Sequence, residues 1–482
     1  MGGENRRTFK FEMELLMSVV LAAPAANSVP IHAVDRAHWP RAEATLDAAT
    51  RRWLQAVEFS AAAGALAYVP GPDGALAGVW AGVRASDPWA LAACPSVLPL
   101  GHYHLAAPAA GMPVLDLAQL ALAWSLGAYV FDAYRKRRRE PATLHLPASA
   151  ATSRALIVAL AVAATRDLVN TPAEHLGPAE LAEAVQALAR AHGARFKQVV
   201  GDKLLEAGFP AIHAVGRAAA RPPRLVELQW GEPEHPLVTL VGKGVCFDSG
   251  GLDIKSAEGM RLMKKDMGGA ANAIGLAQMI MALRLPVRLQ LLIPAVENAI
   301  SGNAYRPGDV FKTRKGLHIE IGNTDAEGRV ILCDALAYGA EGRPAVVIDM
   351  ATLTGAARTA LGPQLPALFC RDMGLARELV DSGLALGDPL WHMPLWGEYH
   401  ANIESDIADI VNTGRNAMAG AITAALFLGD FVPDELTWLH LDLFAWNDVA
   451  RPGRPAGGEA QTLRTLLAWL ERRFGQRADL RA

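Results

Sequence analysis

The chain has 482 residues, of which 51% are apolar and 20% charged, so it can bury a large core and wholesale disorder is excluded. Its 46 basic and 49 acidic residues leave a net charge of -3, which gives no global pull toward nucleic acid or an anionic membrane. At roughly 100–200 residues per domain, two domains are expected.

In chain order, the first feature is an apolar run at 15–26 behind Arg6, Arg7 and Lys10. Glu12 and Glu14 lie directly before it, where a secretory signal would carry positive charge, so it reads as an early strand after a ragged start. Met17 is an alternative start. Neither this run nor 155–164 reaches the ~18–20 apolar residues a bilayer span requires, and no membrane partner is expected.

Residues 1–150 read as a non-catalytic N-terminal α/β domain. They hold a strand-like run at 76–84 (LAGVWAGVR) and an amphipathic helix predicted over 114–134, ending in a basic cluster, Arg135 to Arg139. With no aromatic residues interleaved, the cluster reads as a solvated helix C-terminus whose cations offset the dipole rather than as a nucleic-acid patch. His102-Tyr103-His104 alternates like a metal motif but lacks a third ligand nearby, and reads as ordinary strand. Residues 141–153 look like a connection, and 151–168 like a linker helix.

From 169 to 482 the texture is that of a larger C-terminal catalytic domain. Strand-like runs at 225–230, 237–241, 288–296, 345–350 and 438–444 alternate with helical stretches near 178–192, 268–284, 333–341, 373–386 and 420–431. The fold class expected is α/β, with a mixed, mostly parallel sheet covered by helices and ligands gathered at the carboxyl ends of strands. Cys94, Cys246, Cys333 and Cys370 are scattered without a C-x-x-C pair, so neither a disulfide framework nor a thiolate zinc site is indicated. A reducing cytoplasm fits best.

Polar residues concentrate in two glycine-rich segments after apolar strands, 241–269 (VGKGVCFDSGGLDIKSAEGMRLMKKDMGG) and 322–329 (GNTDAEGR). Asp248, Asp266, Asp325 and Glu327 would repel one another in one cleft unless cations neutralised them, and four carboxylates suffice for two divalent ions. In Asp325-x-Glu327 an extended backbone would send both side chains to one side. Taken singly, each carboxylate reads better as a separate loop carboxylate acting as a helix cap. Lys243, desolvated beside a divalent ion, would shift toward a neutral, ligating amine, whereas Lys255 and Arg329 would stay cationic and stabilise an oxyanion or hold an anionic helper. Plain lysine–carboxylate pairing is the bland alternative. GKG lacks the spacing of a phosphate-binding loop, FDSGG lacks the His and Asp context of a serine protease, and H-E-x-x-H is absent.

These residues carry a resemblance. VGKGVCFDSGG, KKDMGGAA and above all NTDAEGR resemble the leucyl (cytosol) aminopeptidase family, the M17 metallopeptidases, with ATLTGA at 351–356, YRPGD at 305–309 and AGAITAALFL at 419–428 also fitting. The resemblance implies a metallo-exopeptidase that releases N-terminal amino acids, leucine and other apolar residues among them. It implies Lys243, Asp248, Asp266 and Glu327 as ligands of an exchangeable ion, and Asp248, Asp325 and Glu327 as ligands of a tighter one, the metals being Mn²⁺ or Zn²⁺. Lys255 and Arg329 match the two catalytic cations, the arginine holding bicarbonate as general base. Met263, Thr352 and Gly355 match the walls of the first side-chain pocket, and Leu353 a backbone contact. The family also implies a cytoplasmic homohexamer, a dimer of trimers acting on peptides. This chain differs at Asp253, where better-known members carry Ser or Thr, and at GRPAGGEAQTL, where they carry a Gly-Ala-Thr-Gly pattern. On the residues alone, a two-metal phosphoester hydrolase and a non-catalytic, DNA-binding hexameric scaffold remain the rival readings.

Overall fold

Uninterrupted apolar runs become interior strands, and the computed structural model, which describes residues 18–84, 86–108 and 114–475, sorts them into two compact units. Within those residues, one unit holds 18–163 with 448–456, the other 164–447 with 457–475. The N-terminal run at 1–17, with its alternative starts, lies outside the described residues.

The first unit is built on six strands: β1 (Val19–Leu21), β2 (Val29–Val34), β3 (Leu66–Pro70), β4 (Leu76–Gly82), β5 (His102–Leu105) and β6 (Thr143–Leu146). Their order is β1-β6-β5-β2-β4-β3, parallel except for β3 against β4. Residues 141–153 are therefore more than a connection. Thr143-Leu144-His145-Leu146 is too short to show a pattern, yet it pairs with strands on both sides. In β5, His102 Nδ1 lies 3.0 Å from His145 Nε2, His104 Nδ1 lies 2.9 Å from Ser28 Oγ, and the Tyr103 hydroxyl donates to Pro99 O at 2.8 Å.

The helix predicted over 114–134 is shorter, Leu117–Ala128, capped by the Asp116 carboxylate, which accepts from Ala118 and Gln119. It stops where Gly127 crosses the Ala92 carbonyl so closely that a Cβ would lie 1.7 Å from the oxygen, after which Tyr129 is extended. The Arg135–Arg139 cluster thus lies in a loop rather than at that helix's end. Arg139 donates to the carbonyls of Ser96 and Leu98 at the end of another helical turn, Cys94–Val97, and Arg137 sits 3.9 Å from Asp132.

The second unit contains, in chain order, β7 (Arg195–Val200), β8 (Arg224–Trp230), β9 (Leu237–Gly242), β10 (Gly244–Asp248), β11 (Arg288–Asn298), β12 (Val310–Lys312) and β13 (His318–Glu320). There follow β14 (Val346–Ala351), β15 (Ala367–Cys370), β16 (Trp391–His392), β17 (Ile410–Val411) and β18 (Trp438–Asp442). Nine of these form one mixed sheet, β16-β15-β18-β14-β9-β11-β8-β7, with β10 paired to β11. Its centre, β18-β14-β9-β11 with β10, is parallel, and the antiparallel pairs are β15/β18, β11/β8 and β7/β8. The predicted α/β class and mostly parallel sheet are observed.

Residues alternate across a strand, so Thr239 and Val241 face one side while Leu240 and Gly242 face the other. Gly339 of helix Glu327–Glu341 lies against Thr239 and Val241, whereas Ala270 of helix Gly268–Ala282 lies against Gly242. The two helices therefore cover opposite faces. Both are buried nearly all round, which erases their periodicity. For that reason the helix predicted over 333–341 begins earlier, at Glu327. The core joins Val241, Leu292, Val347, Leu332 and Phe427, all fully buried, and truncating any one to alanine would cost roughly 2–4 kcal/mol. All four cysteines are buried free thiols. No helix among the described residues is long and apolar enough to cross a membrane.

Candidate metal and catalytic site

The parallel strands β9, β10, β11 and β14 end at one edge of the sheet, and each delivers a polar residue there: Lys243, Asp248, Asn298 and Thr352. Lys243 is locked by its own backbone, donating to Met350 O at 2.9 Å and accepting from Ala270 N at 2.8 Å. Its Nζ lies 2.8 Å from Asp266 Oδ2 and 2.8 Å from Glu327 Oε1, and donates to Thr352 O at 2.9 Å. Gly328 makes room for it: a Cβ there would stand 2.7 Å from that nitrogen.

After Asp248 the chain reverses through Gly250 and Gly251, whose φ of 88° and 68° is left-handed backbone that suits glycine. The turn returns Lys255, whose N–H donates to Ser249 O at 3.0 Å. Lys255 Nζ lies 2.8 Å from Asp248 Oδ2 and contacts Asp325 Oδ1. The other Asp248 oxygen accepts from Gly250 N at 2.9 Å and Asn298 Nδ2 at 2.8 Å. Asp253, the residue in which this chain differs from better-known members, ties the two segments together. Its carboxylate accepts from Thr324 N at 2.8 Å, its N–H donates to Thr324 Oγ1 at 2.8 Å, and Thr324 Oγ1 donates to Gly250 O at 2.6 Å.

Asp325 and Glu327 converge by a route other than the extended backbone expected. Asp325 sits in a turn, with its N–H held by Asn323 Oδ1 at 2.7 Å, and Glu327 is the first residue of a helix, where the dipole favours a carboxylate. One carboxylate oxygen each of Asp248, Asp325 and Glu327 falls within 4.8 Å of the others. Asp266 enters from a 3₁₀ turn, Met263–Met267, and accepts from Thr352 Oγ1 at 2.8 Å. The structure thus brings all five candidate ligands into one cluster, with Lys255 against it.

Three buried oxygens in this cluster, Asp266 Oδ2, Asp325 Oδ1 and Glu327 Oε1, take no well-angled hydrogen bond and meet only lysine ammonium groups. Burial, and then the Asp266 charge, push Asp248 up to about 6, and burial with the Asp248 charge pushes Glu327 well above the ordinary carboxylate range. Burial alone would lower Lys243, but Asp266, Glu327 and Asp248 outweigh it and hold its ammonium raised. Lys255 is raised likewise, burial being outweighed by Asp248 and Asp325. Destabilised anions with open lone pairs, all oxygen apart from one amine, are a donor set that fits hard divalent cations.

Arg329 follows in the same helix. Burial lowers it to about 10, its Nε has no partner, and it makes no ion pair among the described residues. That buried, unanswered guanidinium fits a small anion such as bicarbonate.

Of the residues expected to wall a side-chain pocket, Thr352 and Leu353 follow β14, Gly355 opens the helix Gly355–Leu361, and Met263 opens the 3₁₀ turn. Leu353 N–H is engaged by Asp442 Oδ1 at 2.9 Å, and Thr354 Oγ1 donates to Asp442 Oδ2 at 2.6 Å. Sequence reasoning missed Asn298, Thr324 and Asp442, which aim the others. Asn298 and Asp442 carried a usable signal, since each is the polar last residue of an apolar strand.

An acid cluster flanked by lysines at the carboxyl edge of an α/β sheet fits a metal-dependent hydrolase. The family follows from comparison. Residues 163–467 match the catalytic domain of the cytosol aminopeptidase family, and 29–147 the N-terminal domain of M17 aminopeptidases. A probable cytosol aminopeptidase of Geobacter sp. (strain M21) is 42% identical over 371 residues, 73% of this chain and 75% of the relative. The crystal structure of a cytosol aminopeptidase from Coxiella burnetii is similar with a TM-score of 0.90 at 49% identity, over 95% of this chain and 99% of that one. The bottromycin maturation enzyme BotP in complex with Mn is similar with a TM-score of 0.83 at 34% identity, over 93% of this chain and 99% of that one. The chain belongs to the M17 cytosol (leucyl) aminopeptidase family of peptide hydrolases.

Proposed function

We propose that this chain releases N-terminal amino acids, leucine and other apolar residues among them, from peptides by a two-metal mechanism. The observation that carries the reading is the meeting of Lys243, Asp248 and Asp266 with Asp325 and Glu327 around carboxylate oxygens that only lysine ammonium groups meet. Lys243, Asp248, Asp266 and Glu327 would hold one divalent ion, Mn²⁺ or Zn²⁺, and Asp248, Asp325 and Glu327 a second. When bound, such a pair supplies Lewis acidity and a water of lowered pKa. Lys255, anchored by Asp248 and Asp325, donates to the scissile carbonyl oxygen as charge develops there. Arg329, whose Nε lacks a partner, would hold bicarbonate, an anion that supplies a general base when bound. Met263, Thr352 and Gly355 enclose the first side chain, beside Leu353.

The unit holding residues 18–163 is proposed to be non-catalytic, and the active assembly a homohexamer. The buried free thiols and the naming of relatives as cytosol aminopeptidases support a cytoplasmic location. The test is to strip the protein with chelator, restore Mn²⁺, Zn²⁺ or Co²⁺, and assay aminoacyl anilides against an aryl phosphate. Activity on leucyl anilide that is lost on chelation and recovered with metal is expected. Cleavage of the phosphate alone would overturn the reading.

A further inference from the structure

Next to the carboxylate cluster stands a group that the mechanism does not use. Lys265 is 4% exposed and, among the described residues, makes neither an ion pair nor a hydrogen bond through its side chain. Its neighbour Lys264 is satisfied, donating to Asn170 O at 2.6 Å. Lys265 Nζ instead lies 4.7 Å from the centroid of the Phe444 ring, and the Arg358 guanidinium stands 4.8 Å from the same centroid. Arg358 likewise makes no ion pair or hydrogen bond among the described residues, so two neighbouring cations share one aromatic ring and neither is ion-paired with a carboxylate.

Three contacts put this pair beside the residues proposed to wall the first side-chain pocket. Lys265 shares its 3₁₀ turn with Met263. A Cβ on Gly355 would lie 3.8 Å from an Arg358 terminal nitrogen. Ala445, next to Phe444, and Thr352 Cγ2 close on the same point, 2.4 and 3.0 Å from where a Gly268 Cβ would stand. Asp442, an acid outside the metal cluster whose charge reaches Lys265, is spent on Leu353 N, Thr354 N and Thr354 Oγ1.

We infer that Lys265 and Arg358 form a cationic end to this pocket and that the protein accepts peptides whose first residue is acidic, glutamate above all. The aliphatic stem of glutamate packs on the Met263 and Thr352 wall, as leucine does, and its carboxylate answers the buried ammonium and the guanidinium. A carboxylate there replaces the hydration these cations lose, whereas an uncharged isostere leaves Lys265 unanswered. Lys265 and Arg358 are thus specificity-determining residues. The inference rests on the aminopeptidase reading above, and its test separates the two.

The test measures kcat/KM of the metal-loaded protein on glutamyl, glutaminyl and leucyl anilides. Glutamate and glutamine differ in charge but hardly in shape, and a preference for glutamyl over glutaminyl of about ten- to a hundredfold is expected. Lys265→Met and Arg358→Met should each shrink that ratio toward one, and Arg358→Glu, at an exposed position where folding is not at stake, should invert it. A glutaminyl rate equal to or above the glutamyl rate, or a ratio unmoved by all three substitutions, overturns the inference while leucyl cleavage persists. Failure on every anilide, leucyl included, sinks the aminopeptidase reading instead.

Discussion

Lys243 and Lys265 are both buried, one paired with Asp266 of the 3₁₀ turn and the other inside that turn, yet their surroundings are opposites. Lys243 is ringed by Asp266, Glu327 and a carbonyl, and its ammonium is held raised against its own desolvation. Lys265 meets an aromatic ring and another cation, and burial lowers it to about 8. Depth alone therefore does not decide what a buried lysine does. Direct ion pairs with carboxylates make one a structural counter-ion that a metal can displace or recruit, and the lack of such a pair leaves the other open to an anion from outside.

The comparison can be broken at its acid side first. Glu327→Ala removes the carboxylate common to both sets of proposed ligands, and kcat on leucyl anilide is expected to fall by at least about a thousandfold. Near-normal turnover would remove Glu327 from the mechanism. Lys243→Met leaves Asp266 and Glu327 without their counter-ion, so the chelated protein should lose about 3–5 kcal/mol in a urea melt, much of it restored when Mn²⁺ is added. An unchanged midpoint would mean that the carboxylates are not held as anions.

A third buried charge sharpens the contrast, because backbone N–H groups rather than an ammonium group answer it. Asp334 accepts from Ala211 N at 2.8 Å, Ile212 N at 3.4 Å and Arg314 N at 2.8 Å, and burial lifts it from the ordinary ~3.9 to about 6. A raised folded value means that protonation favours the folded state. The contribution is therefore fully present below the unfolded value and is lost as pH climbs from about 4 through 6, by about 3 kcal/mol. Asp334→Asn should flatten the stability curve in that window, and parallel curves for the two proteins would refute the assignment. The smallest effect belongs to Lys265→Met. Removing an unpaired ammonium in favour of an isosteric apolar chain should leave the melt unchanged or raise stability by up to about 1 kcal/mol, where loss of a hidden partner would cost more.

How much could be read in advance follows from the same physics. Strands such as Leu237–Gly242 and Val346–Ala351 announce themselves because burial on both faces demands unbroken apolar sequence. The carboxylates and lysines of the site were visible because polar residues after such strands have little structural reason to be there. Thr143–Leu146 was missed as a strand because four residues carry too little pattern. The start of the helix at Glu327 was hidden because its first turn carries the site motif and the rest is buried on every face. Nothing in the sequence pairs Lys265 with Arg358, since they meet only through Phe444, a residue from a different strand end.

The link between Asp253 and Thr324 has a consequence for how the site fills. Backbone and side-chain bonds there fasten one loop to the other through atoms that are not among the proposed metal ligands, so exchanging one cation for another need not disturb the main chain.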